Sequence, residues 1–181
     1  AEVAALAATP ARPSASPTPT AVPEPRLVAD TVQDFSGASD RWTYLWSRPT
    51  ENEFEPMEFE ERVYGLCWYA QDYIRICPDS GHPGNGADIA WRWSSQAEGR
   101  VQVVLSAHKI DQGGDGVTIL AYHNAEPIQG QQIEPRDTRG VVQKSWFEVE
   151  VKTGDYLLFV MNRNGNAQSD HTFFQVQIYQ K

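Results

Sequence analysis

From Arg26 to the end of the chain, apolar and polar positions alternate with a period of two. Val101, Val103 and Leu105 interleave with Gln102 and Ser106, Phe147, Val149 and Val151 with Glu148 and Glu150, and Phe174, Val176 and Ile178 with Gln175 and Gln177. Alternation of this kind marks strands buried on one face. Further strands are expected over residues 41–47, 62–70, 73–77, 89–94, 117–123 and 155–161, with turns such as GGDG, TGD and RNGN between the later ones. No stretch has the capped 3.6-residue period of an amphipathic helix, so the expectation is an all-β antiparallel sandwich of jelly-roll type.

Two departures from simple alternation stand out. Tyr156 to Met161 reads YLLFVM, apolar on both faces, as expected of a central strand covered on both sides. Aromatic rings also fall in rows, with Trp42, Tyr44 and Trp46 on one side of a strand and Trp91 and Trp93 on one side of another. Such rows suit stacking on sugar faces, but a sandwich core needs them too, and core packing is the favoured reading. Trp146 alternates with the inward set and is expected to point outward beside Glu148 and Glu150. Trp146 and the Trp42, Tyr44, Trp46 row are therefore the glycan-contact candidates. Alternation also buries Trp93 and turns Arg92 to the opposite face, where a carboxylate could pair with it.

The first 25 residues follow different rules. Thr9 to Pro25 holds six of the twelve prolines, which rules out helix or central strand and favours an extended spacer. Thr9, Ser14, Ser16, Thr18 and Thr20 are interleaved with these prolines as in an O-glycosylated stalk, and they are the O-glycosylation candidates; a plain flexible linker has the same composition. The division expected is 1–25 as an extended segment and 26–181 as the sandwich. Ala1 lacks the basic flank of an intact signal peptide but is the kind of small residue left after signal cleavage, so the chain is expected to be secreted, extracellular or at the cell surface.

The formal net charge of -9 opposes nucleic-acid partners, whose phosphates need a basic face, and anionic membranes. No run of about 18 apolar residues is present to span a bilayer. The acidity is densest in ENEFEPMEFEE, Glu51 to Glu61, read as a solvated surface loop whose charge limits aggregation, with attraction of calcium or of a basic neighbour as the alternative.

Export gives the two cysteines a role. If a turn centres on Asp72, positions summing to 144 face each other and Cys67 meets Cys77. Directly opposed antiparallel residues lie about 4.5–5.5 Å apart at Cα, which a disulfide tolerates.

Catalytic signatures are missing. The chain has no Gly-x-Ser-x-Gly elbow, no His-Glu-x-x-His and no phosphate-cradling glycine loop, and its glutamates cluster in one segment rather than across a cleft. No enzymatic activity is expected. DQGGDG, Asp111 to Gly116, places turn glycines between carboxylates, so Asp111 and Asp115 together with Asp170 are candidate calcium ligands that would pin loops. The histidines at 82, 108, 123 and 171 have no tight zinc spacing.

Taken in order, the corner sequences form a recognisable set: His82-Pro83-Gly84, the AWRW of Ala90 to Trp93, Gly99 ahead of a valine-rich strand, GGDGV, Thr153-Gly154-Asp155, and RNGN followed by Asp170 and Thr172. Over residues 80–179 this order resembles an accessory β-sandwich domain, of carbohydrate-binding-module type, found in secreted bacterial carbohydrate-active enzymes. The resemblance implies a non-catalytic jelly roll in which His82-Pro83-Gly84 is a corner that defines the fold. Two functions follow. In one, the protein is a structural subunit whose residues 1–25, apolar at Ala1 to Ala8 without a core to join, lie on a neighbouring copy and build a filament or sheath. The other is polysaccharide binding through exposed aromatics.

Overall fold

The computed structural model describes residues 24–48, 53–96 and 98–181, with Gln143 and Lys144 described in backbone only. Among the described residues fourteen strands are found: β1 (Arg26–Asp30), β2 (Trp42–Ser47), β3 (Phe54–Pro56), β4 (Glu58–Arg62), β5 (Gly65–Tyr69), β6 (Arg75–Cys77), β7 (Ser80–His82), β8 (Ile89–Ser94), β9 (Gly99–Lys109), β10 (Val117–His123), β11 (Glu126–Ile133), β12 (Val141–Val151), β13 (Tyr156–Asn162) and β14 (Thr172–Gln180). No helix occurs among the described residues.

The strands form two antiparallel sheets packed face to face. One runs β12-β9-β14-β7-β6-β5-β4, with β1 also paired to β14; the other runs β11-β10-β13-β8-β2-β3. Between them lie the alternating apolar side chains of β9 and β14 on one side, and Trp91, Trp93, Leu157 and Phe159 on the other. Trp91 stacks on Phe174 across the two sheets with ring centroids 4.1 Å apart.

The YLLFVM strand is central, as its two apolar faces require. β13 lies between β10 and β8. Leu157, Phe159 and Met161 enter the main core, while Val160 joins Leu45 and Ala90 in a smaller cluster on the opposite face.

The aromatic rows belong to the core. Trp42, Tyr44 and Trp46 are between 1% and 6% exposed, so the reading of them as a sugar platform is corrected: β2 turns this row toward the facing sheet. Trp146 is corrected too. The pairing of β12 with β9 slips between Gln143 and Phe147, and this bulge turns Trp146 inward to 6% exposure, its ring 6.3 Å from Phe159. Trp93 is buried and Arg92 takes the opposite face as alternation demands, but its partner is the Tyr156 ring at 4.1 Å rather than a carboxylate.

Residues 53–61 of the acidic stretch are not one loop, and Glu51 and Asn52 lie outside the described residues. Phe54–Pro56 and Glu58–Arg62 are the end strands of the two sheets, because Phe54, Met57 and Phe59 supply apolar contacts that a solvated loop would not have. Glu55 pairs with Arg48 at 2.9 Å. Charged residues on exposed edges oppose edge-to-edge pairing between molecules.

Candidate functional site

The β5–β6 hairpin turns at Asp72, with a φ of 52° and Ala70 N–H donating to the Ile74 carbonyl. Its register pairs Trp68 with Ile76 and Tyr69 with Arg75, and Cys67 and Cys77 are bonded across it at a Cα separation of 4.5 Å. Arg75 in turn faces His82 on β7. Opposed residues share a face, so Ile76 enters the core while Tyr69, Arg75 and His82 lie on the outer face of the sheet.

On that face a cleft of about 740 Å³ opens at the end of the sandwich, where five connections converge, the β7–β8 connection contributing Asn85. Tyr64 comes from the β4–β5 turn, Tyr73 and Arg75 from the disulfide hairpin, His82 from β7, Asp111 from the β9–β10 loop, and His171 from the β13–β14 loop. Tyr64 is 54% exposed. Its ring covers the Arg75 guanidinium at 3.8 Å, and Arg75 Nη1 donates to the Tyr73 carbonyl at 3.0 Å.

The two loops forming the far wall touch closely. A Cβ on Gly114 would fall 2.1 Å from the Gln168 carbonyl oxygen, and its φ of +69° also favours glycine. Lys109, fully buried, donates to the Ser169 carbonyl and pairs with Asp170 Oδ1 at 3.0 Å, tying the end of β9 to the β13–β14 loop.

This ammonium does the loop-pinning work expected of calcium. The three candidate ligands go separate ways: Asp111 Oδ2 lies 4.0 Å from His171 Nδ1, Asp115 Oδ2 accepts from Gly165 N–H at 2.7 Å, and Asp170 binds Lys109. Among the described residues no three metal-binding side chains converge. Asp115 Oδ1 and Asp170 Oδ2 are buried without hydrogen-bond partners.

Burial governs the histidines. It pushes His82 down to about 4, with Arg75 and His171 adding to the effect and the Pro83 carbonyl, 2.7 Å from Nδ1, working against it. His171 is lowered for the same first reason and again by Arg75. Both rings are neutral at pH 7.

Ser80, His171 and Asp111 fall in an order that nucleophilic hydrolysis uses, with Ser80 Oγ 3.2 Å from His171 Nε2. Two facts oppose that chemistry. Ser80 is 5% exposed and does not line the cleft, and the 4.0 Å between His171 and Asp111 is beyond hydrogen-bond reach. The hydroxyl fixes the imidazole in place.

No family model matches the chain, and neither does any curated protein. Solved structures do resemble it. The carbohydrate-binding module CBM51 from Clostridium perfringens GH95, solved with methyl-galactose, is 12% identical, with 72% of this chain and 91% of that one covered and a TM-score of 0.40. The CBM51-2 and INT domains of Clostridium perfringens ZmpB are 11% identical over 84% of this chain and 30% of theirs, with a TM-score of 0.35. A Kluyveromyces marxianus β-glucosidase solved with glucose is 16% identical over 75% of this chain and 15% of its own, with a TM-score of 0.36. The chain thus spans less than a third of the last two. Likeness at this level concerns the fold; what the chain binds has to be argued from the cleft.

Sequence reasoning overlooked the cleft residues, apart from Asp111 and the corner reading of His82. One signal was present: the register that joins the cysteines also sets Tyr69 opposite Arg75 and puts Arg75 on the face away from Ile76. Residues 166–171, about ninety positions further on, have no such pattern to bring them there. O-glycosylation at Thr9 to Thr20 concerns positions outside the described residues.

Proposed function

We propose that the chain is a non-catalytic glycan-binding module whose ligand lies in the cleft of Tyr64, Tyr73, Arg75, His82 and His171. The observation that carries this is the pairing of an exposed ring with convergent polar groups in an open recess of about 740 Å³. Saccharide recognition needs a flat apolar surface for the ring face and fixed donors and acceptors for the hydroxyls. Tyr64 and Tyr73 supply the first; Arg75, Asn85 and Gln168 supply the second. The disulfide fits deployment in an oxidising, extracellular setting.

The assembly reading rests on residues 1–25, of which 1–23 lie outside the described residues, and no observation on the rest of the chain favours it. Amide chemical shifts recorded while an oligosaccharide is titrated in test the proposal. Changes centred on Tyr64, Tyr73 and residues 166–171 are expected; changes centred elsewhere, or none with any saccharide, would remove it.

A further inference from the structure

Two basic side chains are buried among the described residues, Lys109 at 1% exposure and Arg75 at 5%. Their situations differ. Lys109 has the Asp170 carboxylate at 3.0 Å. Arg75 has one hydrogen bond, to the Tyr73 carbonyl, and the Tyr64 ring over its plane; no carboxylate pairs with it. A guanidinium carries five N–H donors and is never deprotonated in practice, so this one is left with charge and donors to satisfy in a cleft wall. None of its nitrogens is among the buried polar atoms that lack a partner, so the unused donors open on the cleft, where a ligand can take them.

We infer that the cleft takes an acidic sugar, whose carboxylate or sulfate accepts hydrogen bonds from the Arg75 guanidinium while its ring lies along Tyr64 and Tyr73. The inference rests on the glycan-binding reading and narrows it. Planar bidentate pairing with an oxyanion is what a guanidinium does best, and Tyr64 already holds the plane in place. His82 and His171 are neutral beside it and add no repulsion to Arg75; His82 spends its one N–H on the Pro83 carbonyl, so its other ring nitrogen can only accept. Asp111 opposes the anion and acts on Arg75 through space, but its side chain is half exposed at the rim and screened by water, and it does not reach Arg75 as an ion pair.

The test is a glycan array bearing neutral, uronate-, sialate- and sulfate-bearing oligosaccharides, probed with the whole chain. Binding confined to acidic glycans is expected, and the array tells carboxylate from sulfate. Equal binding to neutral glycans would overturn the inference while leaving the glycan-binding reading intact; binding to nothing would overturn both. For a carboxylate-bearing hit, the same oligosaccharide with its carboxyls reduced to alcohols should bind roughly 10- to 100-fold more weakly, the range expected for hydrogen bonds to a charged group. Arg75→Gln should lose affinity by a similar factor and Arg75→Lys by less. Because Arg75 is buried and these variants can unfold, Asp111→Asn provides an independent check at the rim. Removing its charge should tighten acidic-glycan binding a few-fold; unchanged or weaker binding in a folded Asp111→Asn protein would count against an anion at this position.

Discussion

Lys109 Nζ and Asp170 Oδ1 lie 3.0 Å apart with both side chains fully buried, one at the end of β9 and the other just ahead of β14. Burial outweighs even this ammonium and pushes the Asp170 carboxyl up to about 6, so the pair is held at a desolvation cost. Removing one partner leaves the other stranded. Lys109→Met or Asp170→Asn should each cost about 3–5 kcal/mol in urea unfolding at pH 7. The double variant should lose clearly less than the sum. Additive losses would mean that the two charges do not interact.

The disulfide between Cys67 and Cys77 closes a loop with a sequence separation of 10. So short a loop contributes no more than about 3 kcal/mol on a chain-entropy basis. The Cys67→Ala/Cys77→Ala protein should fold, with a Tm roughly 5–10 °C lower by calorimetry. A chain unable to fold without the bond would show that the hairpin is held by little else.

Strands announced by alternation and a covered face were legible: residues 89–94 and 117–123 match β8 and β10 residue for residue. β11 was missed because its residues are mostly exposed, leaving no apolar set to repeat, and β3 and β4 were hidden by their glutamates. Trp146 shows the limit of parity counting. A bulge inserts residues that no periodicity records, and a side chain within it turns inward out of step with the strand on either side. The cleft was harder still, since it depends on loops nearly a hundred residues apart meeting at one end of the sandwich.

The core aromatics offer a contrast between stability and binding. Trp46→Ala removes a ring that is 6% exposed and should cost about 3–5 kcal/mol, without a selective effect on glycan affinity in whatever fraction stays folded. Normal stability with lost binding would return Trp46 to the role of a contact residue.

His82 sets a pH dependence whose sign can be worked out. Its folded value of about 4 lies below the ordinary 6.5, so the fold favours the neutral ring. Stability from this group is complete above pH 6.5 and is lost as the pH falls toward 4. Asp170, raised to about 6, acts the other way: its neutral form is favoured, and its contribution is lost as the pH rises through 6. The informative quantity is therefore the difference between His82→Gln and the unaltered chain, not either curve alone. Between pH 7 and 4.5 the variant's Tm should fall less. Parallel curves would show that His82 is as easily protonated in the fold as outside it.

Tyr64 separates binding from folding most cleanly. It sits in the tight β4–β5 turn, 54% exposed, with its ring 3.8 Å from the Arg75 guanidinium carbon. Little apolar surface is lost if it is removed, so Tyr64→Ala should change stability by under about 1 kcal/mol, as surface substitutions do. Binding should suffer more, because the variant loses the flat face offered to the sugar and the plate that fixes the guanidinium plane. A loss of roughly tenfold in glycan affinity by calorimetry is expected, in line with about 1 kcal/mol for an aromatic contact beyond its buried area. Tyr64→Phe retains ring and stacking and should bind nearly as well. If Tyr64→Ala bound as tightly as the unaltered chain, the ligand would have to lie elsewhere on the molecule, and the proposed cleft with it would be wrong.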